Sequence, residues 1–204
     1  MDLQLAEKRF LVCGGSRGLG RAVADTLLAE GARVRVVARE VAGLEAAGFE
    51  ATAADLALPD GIATVVAAIR AGGAIDGVLV NSGGPAPGEA LALDDEQWQS
   101  AVDLLLLGPI RLLRALEGDL TEQSAILFVT SSSVRQPIPS LDTSNVLRPA
   151  VAALVKTLAL QLGPRTRVNS IAPGRFDTER VRQPDTGRAA RAGISPEQQR
   201  QKTA

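Results

Sequence analysis

The first residues whose types and spacing point to chemistry are Gly14, Gly18 and Gly20, in the run Cys13-Gly14-Gly15-Ser16-Arg17-Gly18-Leu19-Gly20. Glycines so spaced between a strand and a helix permit a tight turn and close approach of a diphosphate. Its charge then sits against the helix N–H groups and the positive end of the helix dipole. The run lacks a Gly-Lys-Ser/Thr ending, which argues against Mg²⁺-dependent transfer of a terminal phosphate. Folds that take NAD usually place an acid about 20 residues beyond the turn, on the ribose 2′-hydroxyl. Here that region reads Val36-Val37-Ala38-Arg39, and Arg17 lies in the turn itself. Two guanidiniums suit a 2′-phosphate through forked, charge-assisted hydrogen bonds. The alternative is that Arg39 is a solvated charge at a strand end. NADP is the favoured cofactor.

What the chain lacks narrows the chemistry further. Its 204 residues include no His and no Tyr, which excludes a Ser-His-Asp triad, a Cys-His pair, a His-ligated zinc and a tyrosine acid. No metal site is expected. Cys13 is the only cysteine, so there is no internal disulfide, and a reducing cytoplasm suits it. Twenty-two Lys and Arg against 23 Asp and Glu leave a net charge of −1, without a basic field for nucleic acid or anionic lipid. No run approaches about 18 consecutive apolar residues, so a soluble, cytoplasmic protein without a membrane partner is expected.

The elements that must position these residues read as alternating β and α. Short apolar runs at Arg9–Cys13, Arg33–Ala38, Glu50–Ala54, Gly77–Val80, Ser124–Thr130 and Arg167–Ile171 read as strands. Between them, helices are expected near Gly18–Glu30, Val41–Ala47, Leu58–Arg70, Asp95–Leu116 and Asp142–Leu162, the last stopped by Gly163-Pro164. Pro149 removes one helical donor, so that helix is expected to begin late or to bend there. The pattern predicts an α/β fold, a doubly wound parallel sheet with Rossmann topology, in a single domain of this size. Residues 1–178 read as the dinucleotide-binding domain. Residues 179–204 are Arg- and Gln-rich and read either as a polar tail or as a lid over a site.

From about Lys8 to Thr178 the chain resembles the short-chain dehydrogenase/reductase family. The family's TGxxxGxG turn is matched by Cys13 to Gly20, with Cys13 in place of Thr. The resemblance assigns cofactor contacts to Gly14, Ser16, Arg17, Gly18, Leu19, Gly20 and Arg39. It adds Asp55 with Leu56 beside the adenine, then Asn81 and Gly83 in Asn81-Ser82-Gly83-Gly84, which matches the family's NNAG at two of four places. Pro173, Gly174 and Thr178 correspond to the PGxxxT segment that packs on the nicotinamide.

The proton-transfer positions depart from the family. The register of Ala150–Ala159 puts Ser144 at the tyrosine place, Arg148 at the lysine place and Leu105 at the helix-four asparagine place. Counting thirteen residues back from Ser144 gives Ser131 for the catalytic serine, whereas matching Ser132-Ser133-Val134 to the family's Ser-Ser-Val gives Ser133. Both stay open. A serine is a far weaker acid than a phenol, and Arg148 stays protonated, so neither replaces the lost acid–base directly. Losing a positioned acid–base commonly costs about 10²–10⁴ in rate. The implied function is an NADP(H)-dependent oxidoreductase acting on a small carbonyl or alcohol with a modified proton-transfer site. The alternative is a non-catalytic NADP(H)-binding sensor or structural protein. The resemblance further implies a homodimer or homotetramer, and a sheet that stops short of the family's last strand.

Overall fold

The computed structural model describes residues 3–174, together with Phe176, Gly193, Ser195 and Gln198. The chain divides between Ala172 and Pro173 into two units. In the second, Ser195 Oγ accepts from the Gln198 N–H (3.1 Å) and Gln198 Oε1 accepts from the Ser195 N–H (2.9 Å), the reciprocal pairing of a helix start.

The first unit carries a six-stranded, all-parallel sheet. Its strands are β1 (Arg9–Cys13), β2 (Arg33–Ala38), β3 (Glu50–Ala53), β4 (Ile75–Val80), β5 (Leu120–Val129) and β6 (Thr166–Ile171). Their spatial order is β3-β2-β1-β4-β5-β6, so the chain order reverses between β1 and β4. Five helices connect them: α1 (Gly18–Ala29), α2 (Pro59–Gly72), α3 (Asp95–Val102), α4 (Gly108–Leu116) and α5 (Asp142–Leu162). The doubly wound α/β expectation therefore matches the structure.

Successive side chains on a strand point to opposite faces, and apolar residues on both faces let two separate cores form. Leu11, Val78 and Phe128 join Val65 and Ile69 of α2, Leu112 of α4 and Val151 of α5. Val12, Val36 and Leu79 face the other way, onto Ala24 of α1 and the loop residues Leu44 and Phe49.

Three expectations need correction. The helix expected at Val41–Ala47 is a single 3₁₀ turn, Glu45–Ala47, between Gly43 (φ 76°) and Gly48 (φ 91°). A segment that short cannot offset helix nucleation, and the glycines bend it at both ends while Leu44 anchors it. The helix expected at Asp95–Leu116 is interrupted by a π turn, Asp103–Leu107, before α4. Pro109 has no N–H for the carbonyl four residues back, and a wider turn absorbs the missing bond. Asp103 bridges the interruption, accepting from Gln99 Nε2 (2.8 Å) and Arg111 (2.8 Å). Finally, of the two alternatives for Pro149, a late start is excluded, because α5 starts at Asp142 and carries Pro149 in its interior.

At the opposite end of the sheet from the glycine turn, Asp76 ties three strands together. Its carboxylate accepts from the Arg9 N–H (2.9 Å), Lys8 Nζ (3.0 Å) and Thr121 Oγ1 (3.2 Å). Burial alone would raise its pKa, but the Arg9 N–H and then Lys8 outweigh it and hold the group below the usual carboxylate range. Asp76→Ala is expected to cost about 1–3 kcal/mol at neutral pH in urea denaturation. A lowered native pKa gives stability that is full above the unfolded-state value and lost below it. The gap between wild type and variant should therefore shrink as pH falls below about 4.

Candidate functional site

Open parallel sheets bind ligands at the carboxyl ends of the strands, where chain order reverses. In this chain that point lies between the ends of β1 and β4, at Gly14 and Asn81. Gly14 has φ +64°, donates its N–H to the Val37 carbonyl (2.8 Å), and leaves no room for a Cβ, which would overlap the Asn81 carbonyl oxygen. The Asn81 amide donates back to the Gly14 carbonyl (3.1 Å). Gly20, one turn into the site, lies so near that a Cβ there would sit 2.6 Å from Asn81 Nδ2. Asn81 thus locks the turn from the β4 side.

The N-terminus of α1 opens at this turn without a side-chain cap and without an acid in its first turn. Its free N–H groups and dipole form a cradle for an anion. Arg17 and Arg39 are exposed, and neither guanidinium makes a hydrogen bond or ion pair among the described residues. A glycine cradle, an uncapped helix start and two exposed guanidiniums fit a phosphorylated dinucleotide. Ser16 is half-buried and Gly18 exposed, while Leu19 packs partly on the core beneath α1. Cys13, just before the turn, is buried, and desolvation pushes its thiol pKa up to about 12. Asp55 Oδ1 accepts from the Ala57 N–H (3.0 Å), which shapes the turn into α2, and Leu56 packs against the core next to it.

The other half of the cleft is built by the ends of β4 and β5 and the start of α5. Ser131 Oγ accepts from the Ser133 N–H (3.1 Å) and so opens a 3₁₀ turn, Ser132–Val134. Ser132 is exposed. Ser133 is 3 % exposed, and its Oγ has no hydrogen-bond partner among the described residues. A buried hydroxyl without a partner is costly in a folded protein and is explained by a ligand or a bound water. Ser144 is half-buried on the first turn of α5, and Arg148 stands one turn further along the same face. Arg148 is 8 % exposed, and its guanidinium donates to the Val129 carbonyl (2.9 Å), the Gly83 carbonyl (3.3 Å) and the Ser82 carbonyl (3.5 Å). It therefore fastens the end of β5 to the segment after β4. Leu105 is buried in the π turn against Ala101 and Leu147.

Two groups of residues complete the walls and were not singled out from sequence. Asp142 and Thr143 bind the loop after β4, through the Ala90 N–H (2.9 Å) and the Ala86 carbonyl (3.4 Å). Asn145 binds the Ile138 backbone on both sides. An Asp, a Thr and an Asn clustered where a helix begins are a usable sequence signal for such bonding. Pro173 and Gly174 follow β6 in the second unit, and Thr178 lies outside the described residues. Among the described residues no cluster of His, Cys, Asp and Glu could hold a metal, and no helix is long and apolar enough to cross a membrane.

A family model described as enoyl-(acyl carrier protein) reductase matches residues 14–202. Human dehydrogenase/reductase SDR family member 4 is 30 % identical over 189 residues, spanning 85 % of this chain and 68 % of that protein. Among solved structures, L-sorbose reductase from Gluconobacter frateurii, complexed with NADPH and L-sorbose, superposes with a TM-score of 0.89 at 28 % identity. It covers 97 % of this chain and 80 % of its own. A short chain dehydrogenase from Burkholderia cenocepacia J2315 in complex with NADP has a TM-score of 0.79 at 30 % identity, over 86 % of this chain and 77 % of its own.

Proposed function

The chain belongs to the short-chain dehydrogenase/reductase family, and from that premise we propose that it is an NADP(H)-dependent oxidoreductase acting on a small carbonyl or alcohol. The observation that carries the cofactor choice is the pair Arg17 and Arg39, whose guanidiniums have no protein partner among the described residues, with α1 uncapped and Ala38, not an acid, as the last residue of β2. Gly14, Ser16, Gly18 and Gly20 would receive the diphosphate, and the two arginines the 2′-phosphate. Asp55 and Leu56 would flank the adenine; Asn81, Gly83, Pro173, Gly174 and Thr178 would lie toward the nicotinamide. When bound, NADPH supplies the hydride.

The residues of this chain supply orientation and hydrogen bonds rather than an acid. Ser133 is our first candidate to donate to the substrate oxygen, because its buried hydroxyl has no partner among the described residues, whereas the Ser131 hydroxyl, which accepts from the Ser133 N–H, also holds the turn and keeps its own O–H to donate. Ser144 supplies a second hydroxyl, and water is left as the proton source. Arg148 contributes fixed positive charge beneath the cleft and cannot relay a proton. The second reading, an NADP(H)-binding sensor, is favoured by one observation: the guanidinium at the family's lysine place is engaged by main-chain carbonyls. We further infer a homo-oligomer through the helical segment 95–116 and α5, where Val146 and Leu160 are exposed, and a cytoplasmic setting. Residues 179–204 would serve as a polar lid or tail.

A fluorescence titration with NADPH and NADH tests the reading. Tighter binding of NADPH by about tenfold or more is expected from the two exposed guanidiniums. Binding of neither cofactor sinks it. Where turnover is found, Ser133→Ala should lower kcat by about 10²–10³, as loss of a preorganised donor does, while Ser131→Ala changes it far less. A sensor would bind NADPH and turn over no carbonyl.

A further inference from the structure

The first turn of α5 contains a device that the family resemblance does not describe. Asn145 pairs with Ile138 as one peptide pairs with another: its Oδ1 accepts from the Ile138 N–H (2.9 Å) and its Nδ2 donates to the Ile138 carbonyl (2.9 Å). Nδ2 also donates to Asp142 Oδ1 (3.2 Å). Ile138 stands between Pro137 and Pro139, neither of which has an N–H, so it is the only residue of the three that can be gripped in this way. The same turn of helix holds the facing loop, since Asp142 Oδ2 accepts from the Ala90 N–H (2.9 Å). The two loops then meet in a parallel bridge between Gly88 and Leu141, with the Gly88 N–H on the Ser140 carbonyl (2.9 Å). Ser140 sits at φ 62°, a conformation that side chains rarely adopt and that surrounding bonds must impose.

Ser133 and Ser144 are joined by the ten residues 134–143, and Asn145 fixes the middle of that span. We propose that Asn145 is a positioning residue for the nicotinamide end of the cleft, setting the loop 134–141 so that the wall is formed before any ligand arrives. This rests on the dinucleotide reading given above. Both bonds to Ile138 are needed, because one fixes only a distance and the pair fixes an orientation. An aspartate at 145 would keep the acceptor, lose the donor, and set a carboxylate against the Ile138 carbonyl.

The test uses the full chain with two variants, Asn145→Ala and Asn145→Asp, and three readouts. NADPH binding probes the whole cleft, whereas 2′,5′-ADP binding probes the adenine end alone. Tryptic cleavage after Arg135, which is exposed, probes opening of the loop. In both variants the NADPH dissociation constant should rise about tenfold or more, and that for 2′,5′-ADP should stay within about twofold. Cleavage after Arg135 should accelerate by about tenfold, as local opening becomes easier. Equal weakening of both ligands would mean general damage to the fold and would overturn the proposal. So would an unchanged NADPH affinity, or cleavage at the wild-type rate. If the wild-type chain binds neither ligand, the dinucleotide reading fails by itself. The proposed role at the nicotinamide end fails with it, while the cleavage arm still decides whether Asn145 holds the loop.

Discussion

Gly14→Ala is expected to abolish NADPH binding in a fluorescence titration, raising the dissociation constant by at least about 100-fold, the equivalent of about 2.7 kcal/mol. Two independent costs combine at this position. The backbone is at φ +64°, where an added Cβ costs about 1–2 kcal/mol. That Cβ would also overlap the Asn81 carbonyl oxygen, which is main chain and cannot swing aside. Relief requires β1 and β4 to part at their ends, which also breaks the Asn81 amide bond to the Gly14 carbonyl. Stability should fall by about 2–4 kcal/mol in urea, within the range for a strained backbone position. A variant with wild-type affinity and wild-type midpoint would show that the turn is far more pliable than its packing indicates.

The second large effect is expected at Arg148, and its direction is counter-intuitive. Arg148→Lys introduces the residue that the family resemblance implies for this place, yet it should weaken the protein. A guanidinium forks, and here its two terminal nitrogens reach carbonyls on two segments, Val129 on one side and Ser82 with Gly83 on the other. An ammonium is a single point and cannot span both. Residue 148 is buried, so any carbonyl left without its donor carries a desolvation cost of about 1–3 kcal/mol. Arg148→Lys should lower unfolding free energy by about 1–3 kcal/mol, and Arg148→Met by about 2–4 kcal/mol. NADPH binding should weaken in both. A lysine variant as stable as wild type would show that the fork is dispensable.

What could be read from the chain followed the range of the interactions involved. The glycine turn and Asn81 were legible because their requirements are local: a strand, a sharp turn and a helix start within a few residues of one another. The β1 and β2 boundaries, and both ends of α5, agree with the structure for the same reason. The break between α3 and α4 was missed because Leu104 to Leu107 continue an apolar helical pattern through the π turn, and only Gly108-Pro109 marks it. β5 begins at Leu120 rather than Ser124, since Glu122 and Gln123 interrupt the apolar run while Leu120 still pairs with Ile75. Arg148 was legible as a position and not as a contact, because its acceptors at Ser82 and Gly83 are 66 and 65 residues away. Ser131 and Ser133 share one strand end, and sequence offers no means of separating them. Their difference is one of direction within a 3₁₀ turn, which leaves one hydroxyl bonded to backbone and the other buried alone.

The burial of Cys13 turns the molecule into its own recorder. A thiol pushed up to about 12 and sealed beneath the glycine turn is almost wholly protonated at neutral pH and shielded from reagents. It becomes reactive only while the core around it, shared with Val37 and Val65, stands open. Because the chain has one cysteine, every labelling event counts one such opening, with no background from other thiols. A ligand that closes the cleft would slow the count in proportion to its occupancy, so a chromogenic disulfide can follow this motion without any assay of turnover.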